Sequence, residues 1–406
     1  MTNTTKDKRL AVTDPSGGAN QARVRDHNQR LVLSLVRRHG SLPKSEIAIR
    51  TGLTAQTVTV IMRSLETEKL LLRGEPKRGK VGQPSIPMSL NPEGVFSIGL
   101  RIGRRGADLV LVDFLGQPLK ILRKSFAYPT TSVVRTFART SLTKLLNSLT
   151  ASERKRVAGI GVSVPYELWN WAEKVGAPEK KMNEWKAFNF QKELAEFTDL
   201  PVFIQNDATA ACGAELVFGG GTELSDFVYF YIGTFIGGGI VLNHTIYPGR
   251  FGNAGALGSM PVLGRNGNFS QLIDNASLIE LENQLRSKNI DPSPLWLTPD
   301  DWSGFSNTLD QWVSVTAAHL AAAIVCSCSV IDFEAAVIDG ALPEPVKNKL
   351  VMTCAKELKK MDLQGLIPPD IFAGKVGRDA RVLGGASLPL SARYLLDQNV
   401  LIKEQA

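Results

Sequence analysis

Cysteine is scarce in this 406-residue chain, and its four cysteines (Cys212, Cys326, Cys328 and Cys354) form no Cys-x-x-Cys pair. That excludes a disulfide framework and a cysteine-based zinc cluster. No apolar run approaches the roughly 18–20 residues that span a bilayer, so no membrane partner is expected. The polar opening MTNTTKDKRLAVTDPSGGANQ has no hydrophobic signal segment, and a cytoplasmic location is the expectation. Cys326 and Cys328 fall in the apolar run HLAAAIVCSCSVI, which reads as a place for buried free thiols. The glycine-rich loop YPGRFGNAGALGSMPV (Tyr247–Val262) lacks any carboxylate, histidine or cysteine. It has the backbone of a ligand loop without the groups that usually do chemistry.

Acid is also short in the first fifth of the chain. Residues 1–90 hold sixteen Lys and Arg against seven Asp and Glu, a balance of +9, whereas residues 91–406 balance at −1. Such asymmetry points to a basic module that meets a polyanion, attached to a neutral body. The length exceeds one ordinary core and implies two or three domains, and 43% apolar with 21% charged residues is a soluble globular composition.

The basic module reads as a helix-turn-helix. Leu31, Leu35 and Val36 share a helical face that Gly40 ends. A short helix begins at Pro43, Gly52 stops it, and Thr54 is an N-cap for a third helix with Val58, Ile61, Met62 and Leu65 on one face. The other face carries Ala55, Gln56, Thr57, Thr59 and Arg63, of a size that approaches base edges, and Gln56 can pair bidentately with adenine. LLLRGEPKRGKVGQPSIPMSL then reads as a β-hairpin wing whose Lys77, Arg78 and Lys80 meet phosphates or the minor groove. With Lys44, these residues (Thr54, Gln56, Thr57, Thr59, Arg63, Lys77, Arg78, Lys80) are the expected DNA contacts.

From Val95 the pattern becomes α/β. Three strands joined by glycine turns precede a helix from about Thr131 to Leu149, a buried strand VAGIGVSVP, a tryptophan-rich stretch (Trp169, Trp171, Trp185), and a strand ending at Asn206-Asp207. Ala208–Phe218 is helical, and a second set opens with DFVYFYIG and GTFIGGGIVL. Two such units suggest two related lobes around a cleft.

The winged helix-turn-helix followed by IGLRIGRRGADLVLVDFLGQPL, GIGVSVP, PVFIQNDATAACGAE, GTFIGGGIVL and GNAGALGSM, in this order, resembles the ROK family of sugar repressors and sugar kinases from about Asn28 onward. The resemblance implies a two-lobed actin/hexokinase-like (ribonuclease H-like) ATPase fold behind the DNA-binding head. The expected division is a flexible tail (1–22), winged helix-turn-helix (23–92), first lobe (93–222) and second lobe (223–406), with the C-terminal helix closing back on the first lobe.

In the family's sugar kinases an Asp-x-Gly-Gly-Thr turn serves the metal-bound phosphates. Here those positions read Arg101, Ile102, Gly103, Arg104 and Arg105, which should block metal-assisted ATP use. The three arginines belong either to an exposed hairpin turn or to an anion site for a phosphorylated or carboxylated effector. The kinases' Ala-Gly-Glu-x-Gly-His, whose Glu and His bind sugar hydroxyls, matches Ala254, Gly255, Ala256, Leu257, Gly258 and Ser259. Their zinc cysteines align with Gly264, Asn266 and Gln271, and a following glutamate with Ile273, so no zinc is expected.

One kinase element persists. Asn206-Asp207 matches the family's Asn-Asp, whose aspartate takes the proton of the sugar hydroxyl. Here Asp207 is read as a ligand contact and vestigial base, or as the cap of the next helix. Asn206, Asp207, Gly255, Ser259 and Glu179 are the expected effector contacts. The reading is a transcriptional repressor of carbohydrate genes, without ATP, magnesium or zinc, acting as a dimer or tetramer under a sugar, polyol or sugar-phosphate effector. Its alternatives are an active sugar kinase with a DNA-binding head, and a constitutive DNA-binding protein with a structural body.

Overall fold

The protein, seen in a computed structural model, is described for residues 21–76, 85–173, 176–264 and 267–396. The expected tail (but for its last residues), the wing residues Lys77, Arg78 and Lys80, and Asn266 lie outside these. The chain forms two compact units. One holds the residues up to Asn91 and those from Ser391 on, and the other is Pro92–Leu390.

In the first unit, helices α1 (Gln21–His39), α2 (Lys44–Thr51) and α3 (Ala55–Thr67) enclose a core of Val32, Leu33, Val36, Ile47, Val58, Ile61, Met62 and Leu65. Gly52 ends α2 in the left-handed conformation at φ 68°, which needs no Cβ to clear the turn, and the Thr54 hydroxyl accepts from Thr57 N to start α3. Strands β1 (Ser41–Pro43), β2 (Leu71–Arg73) and β3 (Pro87–Leu90) make a small antiparallel sheet with β3 central. The chain's later segment joins this unit: Arg30 donates to Ala392 O at 2.8 Å, and Leu396 N donates to Ser34 Oγ at 2.7 Å.

The second unit is built on two five-stranded sheets of the same plan. β4 (Phe96–Ile102), β5 (Gly106–Val112) and β6 (Pro118–Ser125) form an antiparallel meander. β7 (Val157–Val164) and β8 (Val202–Asn206) then add in parallel, giving the order β6-β5-β4-β7-β8. The second sheet repeats this with β9 (Phe227–Ile232), β10 (Ile236–Leu242), β11 (Thr245–Ile246) and, beyond a small hairpin β12 (Pro261–Leu263) and β13 (Phe269–Gln271), the parallel β14 (Ala335–Gly340) and β15 (Asp370–Ala373).

Helix α4 (Thr131–Leu146) packs Phe137, Leu142 and Leu145 against the first sheet. Helices α5 (Asp207–Phe218), α6 (Leu278–Ser287), α7 (Ser306–Cys328), α8 (Glu344–Leu358) and α9 (Ala380–Tyr394) follow. A core drawn from both sheets, including Val110, Val112, Tyr229 and Val337, is filled by Ala211 and Cys212 of α5 and Val382 and Ala386 of α9.

Two sequence readings need correction. Cys326 is exposed, although Cys328 beside it is buried, because residues two apart on α7 face different ways. The residues Ser303–Cys328 are also long and apolar enough, by composition, to cross a membrane. Here α7 instead packs Trp312, Val313, Leu320 and Ile324 into the core of the second lobe.

The segment leading into α9 is held by buried charge. Glu215 accepts from the backbone N–H groups of Gly220, Lys375 and Val376, and Asp339 accepts from Gly377 N at 2.9 Å and from the Tyr229 hydroxyl. Burial, with repulsion from Asp339, pushes the Glu215 carboxyl above the usual range against those N–H donors. Lys347 lies 3.4 Å from Asp339 and donates to Gly374 O, with both side chains almost wholly enclosed. Lys347→Met is expected to destabilise the protein by about 3–5 kcal/mol in denaturant titration, because it strands a buried carboxylate. Unchanged stability would show that Tyr229 and Gly377 suffice for Asp339.

Candidate functional site

A cavity of about 470 Å³ opens between the lobes of the second unit. The first lobe contributes Arg104 from the β4–β5 turn, Tyr166, Glu167, Asn170 and Trp171 from the segment after β7, and Asn206 and Asp207 at the β8–α5 junction. The second lobe contributes Tyr231, Phe235, Gly237 and Gly238 from the β9–β10 hairpin, Asn253, Gly255 and Ser259 from the glycine-rich loop, and Ile273 just beyond β13. Arg381 enters from α9.

Asn206 is the cap of α5, its Oδ1 accepting from Ala208 N at 3.0 Å and Thr209 N at 3.3 Å. The cap reading for Asp207 is therefore corrected: the neighbour does that work and Asp207 turns to the cavity. Its Oδ2 accepts from Arg381 Nη1 at 3.2 Å, and the Arg381 guanidinium lies 4.9 Å from the Tyr231 ring centre. Burial opposes the charge on Arg381, but Tyr231 and Asp207 outweigh it and hold the guanidinium above its ordinary range.

Arg104 is only 8% exposed. Its guanidinium sits 4.5 Å from the Trp171 ring and 4.3 Å from Phe235, whose centroids are themselves 4.2 Å apart. Burial lowers its pKa to about 10, so it stays charged at neutral pH. In the Tyr166–Trp171 wall, Glu167 adopts the left-handed conformation at φ 47°, uncommon for a non-glycine residue, and accepts from Asn170 Nδ2 at 2.7 Å.

The three arginines do not converge on one anion. Arg101 pairs with Asp108 at 2.5 Å, directly opposite it across the β4–β5 ladder. Arg105 donates to both oxygens of Glu282 at 3.0 Å and stacks 4.1 Å from Trp296. Only Arg104 lines the cavity. Glu179 is exposed at the start of a short helix, Glu179–Asn183, and is absent from the lining. Arg381, Phe235, Tyr231 and the Tyr166–Trp171 wall had no assigned role in the sequence; Trp171 stood out there only as a tryptophan.

The glycines have a packing explanation. A Cβ on Gly237 would lie 2.7 Å from Ala208 Cβ and one on Gly239 2.6 Å from Cys212 Cβ, so the β10 glycines admit α5. A Cβ on Gly255 would meet the Gly239 backbone at 2.7 Å and one on Gly258 the Ile236 carbonyl at 2.6 Å. Gly255 and Gly258 are required because the loop's backbone lies against β10 there. A kinase phosphate site does not fit these residues, since Arg101 and Asp108 are paired and Arg104 fills the gap to Phe235. A zinc site does not fit either: Ser259, Gly264 and Gln271 stand at ligand positions, and no group of three or more His, Cys, Asp or Glu placed for a metal occurs among the described residues.

On the first unit, α3 turns Gln56, Val60 and Arg63 outward, with Thr59 half-exposed between them. Thr57 bonds Thr54 through both its N–H and its hydroxyl, and the Thr59 hydroxyl bonds Ala55 O. Lys44 is half-buried at the start of α2.

Comparison with known proteins matches both parts of the chain to known families. The ROK family profile matches residues 97–391, and a winged helix-turn-helix DNA-binding profile matches residues 25–70. The protein y4fQ of Sinorhizobium fredii is 25% identical over 89% of this chain and 90% of its own length. The xylose repressor of Bacillus subtilis is 23% identical over 60% of this chain, and the DNA-binding transcriptional dual regulator NagC of Escherichia coli 24% over 64%. The chain spans 62% and 65% of those two regulators. Among solved structures, a ROK family transcriptional regulator homologous to the Escherichia coli MLC protein superposes with a TM-score of 0.66 at 20% identity over 93% of this chain and 99% of its own. A ROK family glucokinase from Streptomyces griseus reaches 0.55 at 19% identity, over 72% of this chain and 98% of its own. The fold is thus a winged helix-turn-helix joined to a sugar-kinase-like body.

Proposed function

The chain belongs to the ROK family, and on that premise we propose that it is a sequence-specific DNA-binding regulator, a repressor of carbohydrate uptake or catabolism genes. Its effector is a sugar, polyol or sugar phosphate bound in the cavity between the lobes. It acts in the cytoplasm as a homo-oligomer, with α3 and the wing on operator half-sites. Effector binding shifts a two-state equilibrium only by its different affinities for the two states, so lobe closure is the element it biases.

The observation that carries the reading is the Arg101–Arg105 turn. Its arginines are engaged by Asp108, by Trp171 with Phe235, and by Glu282, yet the cavity behind it keeps Asp207. That arrangement supports a ligand-binding body without ATP, magnesium or zinc. The retained Asp207 favours one second reading, an active kinase with a DNA-binding head.

Fluorescence anisotropy on DNA from upstream of its own operon, titrated with carbohydrates at fixed salt, tests the proposal. One compound is expected to release or tighten the complex with no magnesium-dependent ADP formation. Asp207→Asn is expected to move that compound's midpoint about tenfold or more, the worth of one charge-assisted hydrogen bond, without changing DNA affinity. ATP-dependent phosphorylation of a sugar, lost in Asp207→Asn, would establish the kinase instead.

A further inference from the structure

One cation of the cavity makes no ion pair among the described residues. Arg381 is paired with Asp207, and Arg101, just outside, with Asp108. Arg104 has neither a hydrogen bond nor an ion pair among the described residues, and its Nε is buried without a partner. Asp207 lies near enough to favour its charge but is held by Arg381, and with Arg381 and Arg101 also close, a guanidinium so enclosed is costly unless a further anion completes it. Trp171 and Phe235 lie together on one side of it, which leaves the rest of the guanidinium, N–H edge included, for a ligand.

We propose that the effector carries a carboxylate that docks on Arg104, its hydroxyls reaching the Asp207 side of the cavity: a sugar acid, either a uronate or an aldonate. The proposal rests on the effector-binding reading and narrows it. A single planar guanidinium matches a carboxylate bidentately. The two arginines and two carboxylates of the lining (Arg104, Arg381, Asp207 and Glu167) already balance, so a phosphate dianion would bring in two negative charges where a carboxylate brings one. A carboxylate completes a pair with Arg104 and brings no second charge. The cation–π contacts to Trp171 and Phe235 account for the position of Arg104 but do not neutralise its charge.

The test uses the full-length protein and three probe classes: D-glucuronate, D-galacturonate and D-gluconate; the neutral D-glucose and D-galactose; and glucose 6-phosphate. Binding is read by calorimetry and by tryptophan fluorescence, since Trp171 stacks on Arg104. At least one acid is expected to bind, with its neutral counterpart about tenfold to a hundredfold weaker, the range of a bidentate charged hydrogen bond. Arg104→Met should erase that preference. Arg104→Lys, which keeps the charge without the fork and guards against a folding defect, should recover only part of it.

Binding of a neutral sugar or of glucose 6-phosphate in place of the acids would overturn the carboxylate assignment and leave the effector reading standing. An acid preference that survives Arg104→Met would overturn the role of Arg104. Binding by none of the three classes overturns this proposal, and the effector reading then turns on the wider carbohydrate titration against DNA.

Discussion

Gly161→Ala is expected to leave little soluble protein, or to lower the melting temperature by more than about 10 °C, the shift that roughly 5 kcal/mol produces in a domain of this size. Gly161 sits in the middle of β7 and pairs in register with Gly99 of β4. A Cβ on Gly161 would fall 1.8 Å from the Gly385 carbonyl oxygen, and one on Gly99 2.1 Å from the Val382 carbonyl oxygen. These are backbone atoms of α9, so no side-chain rotation relieves the clash.

The whole helix has to lift off the sheet. Lifting it breaks the bonds from Ser163 Oγ to Arg381 O and from Ser97 Oγ to Ala386 O, both 2.7 Å. It also draws Val382 and Ala386 out of the shared core and moves Arg381 away from Asp207. Overpacking alone costs about 1–3 kcal/mol, and the lost hydrogen bonds and burial add to it. Gly304→Ala is the control, since a Cβ there meets nothing within 4 Å and the change should be neutral. A Gly161→Ala protein with parental melting temperature and effector response would show that α9 can shift freely on this sheet.

The same helix shows where a sequence stops being informative. The first unit was legible because its signals are local: Gly52 in the left-handed turn, Thr54 capping α3, and Val58, Ile61, Met62 and Leu65 at helical spacing. The order of strands was legible through alternation and glycine turns. The cavity was half legible. Asn206, Asp207, Gly255 and Ser259 line it, but Arg381, the partner of Asp207, stands 174 residues away and has no local pattern to mark it.

The arginine turn misled for the same reason. Its three cations look alike in sequence, yet Arg105 is claimed by Glu282, 177 residues later. Arg101 is claimed by Asp108, a pairing that the hairpin register alone would have given. The glycines of GTFIGGGIVL have no local pattern that gives their purpose, and only the position of α5 shows that Gly237 and Gly239 make room for Ala208 and Cys212.

The combined variant Gln56→Ala, Thr59→Ala and Arg63→Ala is expected to lose specific DNA affinity about a thousandfold, to the level of non-specific binding, with no change in melting temperature. The three side chains recur at one face of α3, opposite the buried Val58, Ile61, Met62 and Leu65, so their removal leaves the core intact. Thr54 and Thr57 are spared because their mutual hydrogen bonds start the helix.

The single variants divide the effect by chemistry. Gln56→Ala should cost about 1–3 kcal/mol on the preferred site and relax selectivity at one base pair. If Arg63 meets a phosphate, Arg63→Ala should weaken all sequences alike and lower the slope of log affinity against log salt by about one; if it reads a base, the loss should fall on one position of the site. The operator is taken from a randomised DNA pool selected by the parental protein, and affinities are compared at one salt concentration. A triple variant that still separates operator from random DNA as well as the parent would remove α3 as the reading helix. Sequence recognition would then have to come from the wing, whose Lys77, Arg78 and Lys80 would meet the minor groove, where A·T is told from G·C and little more.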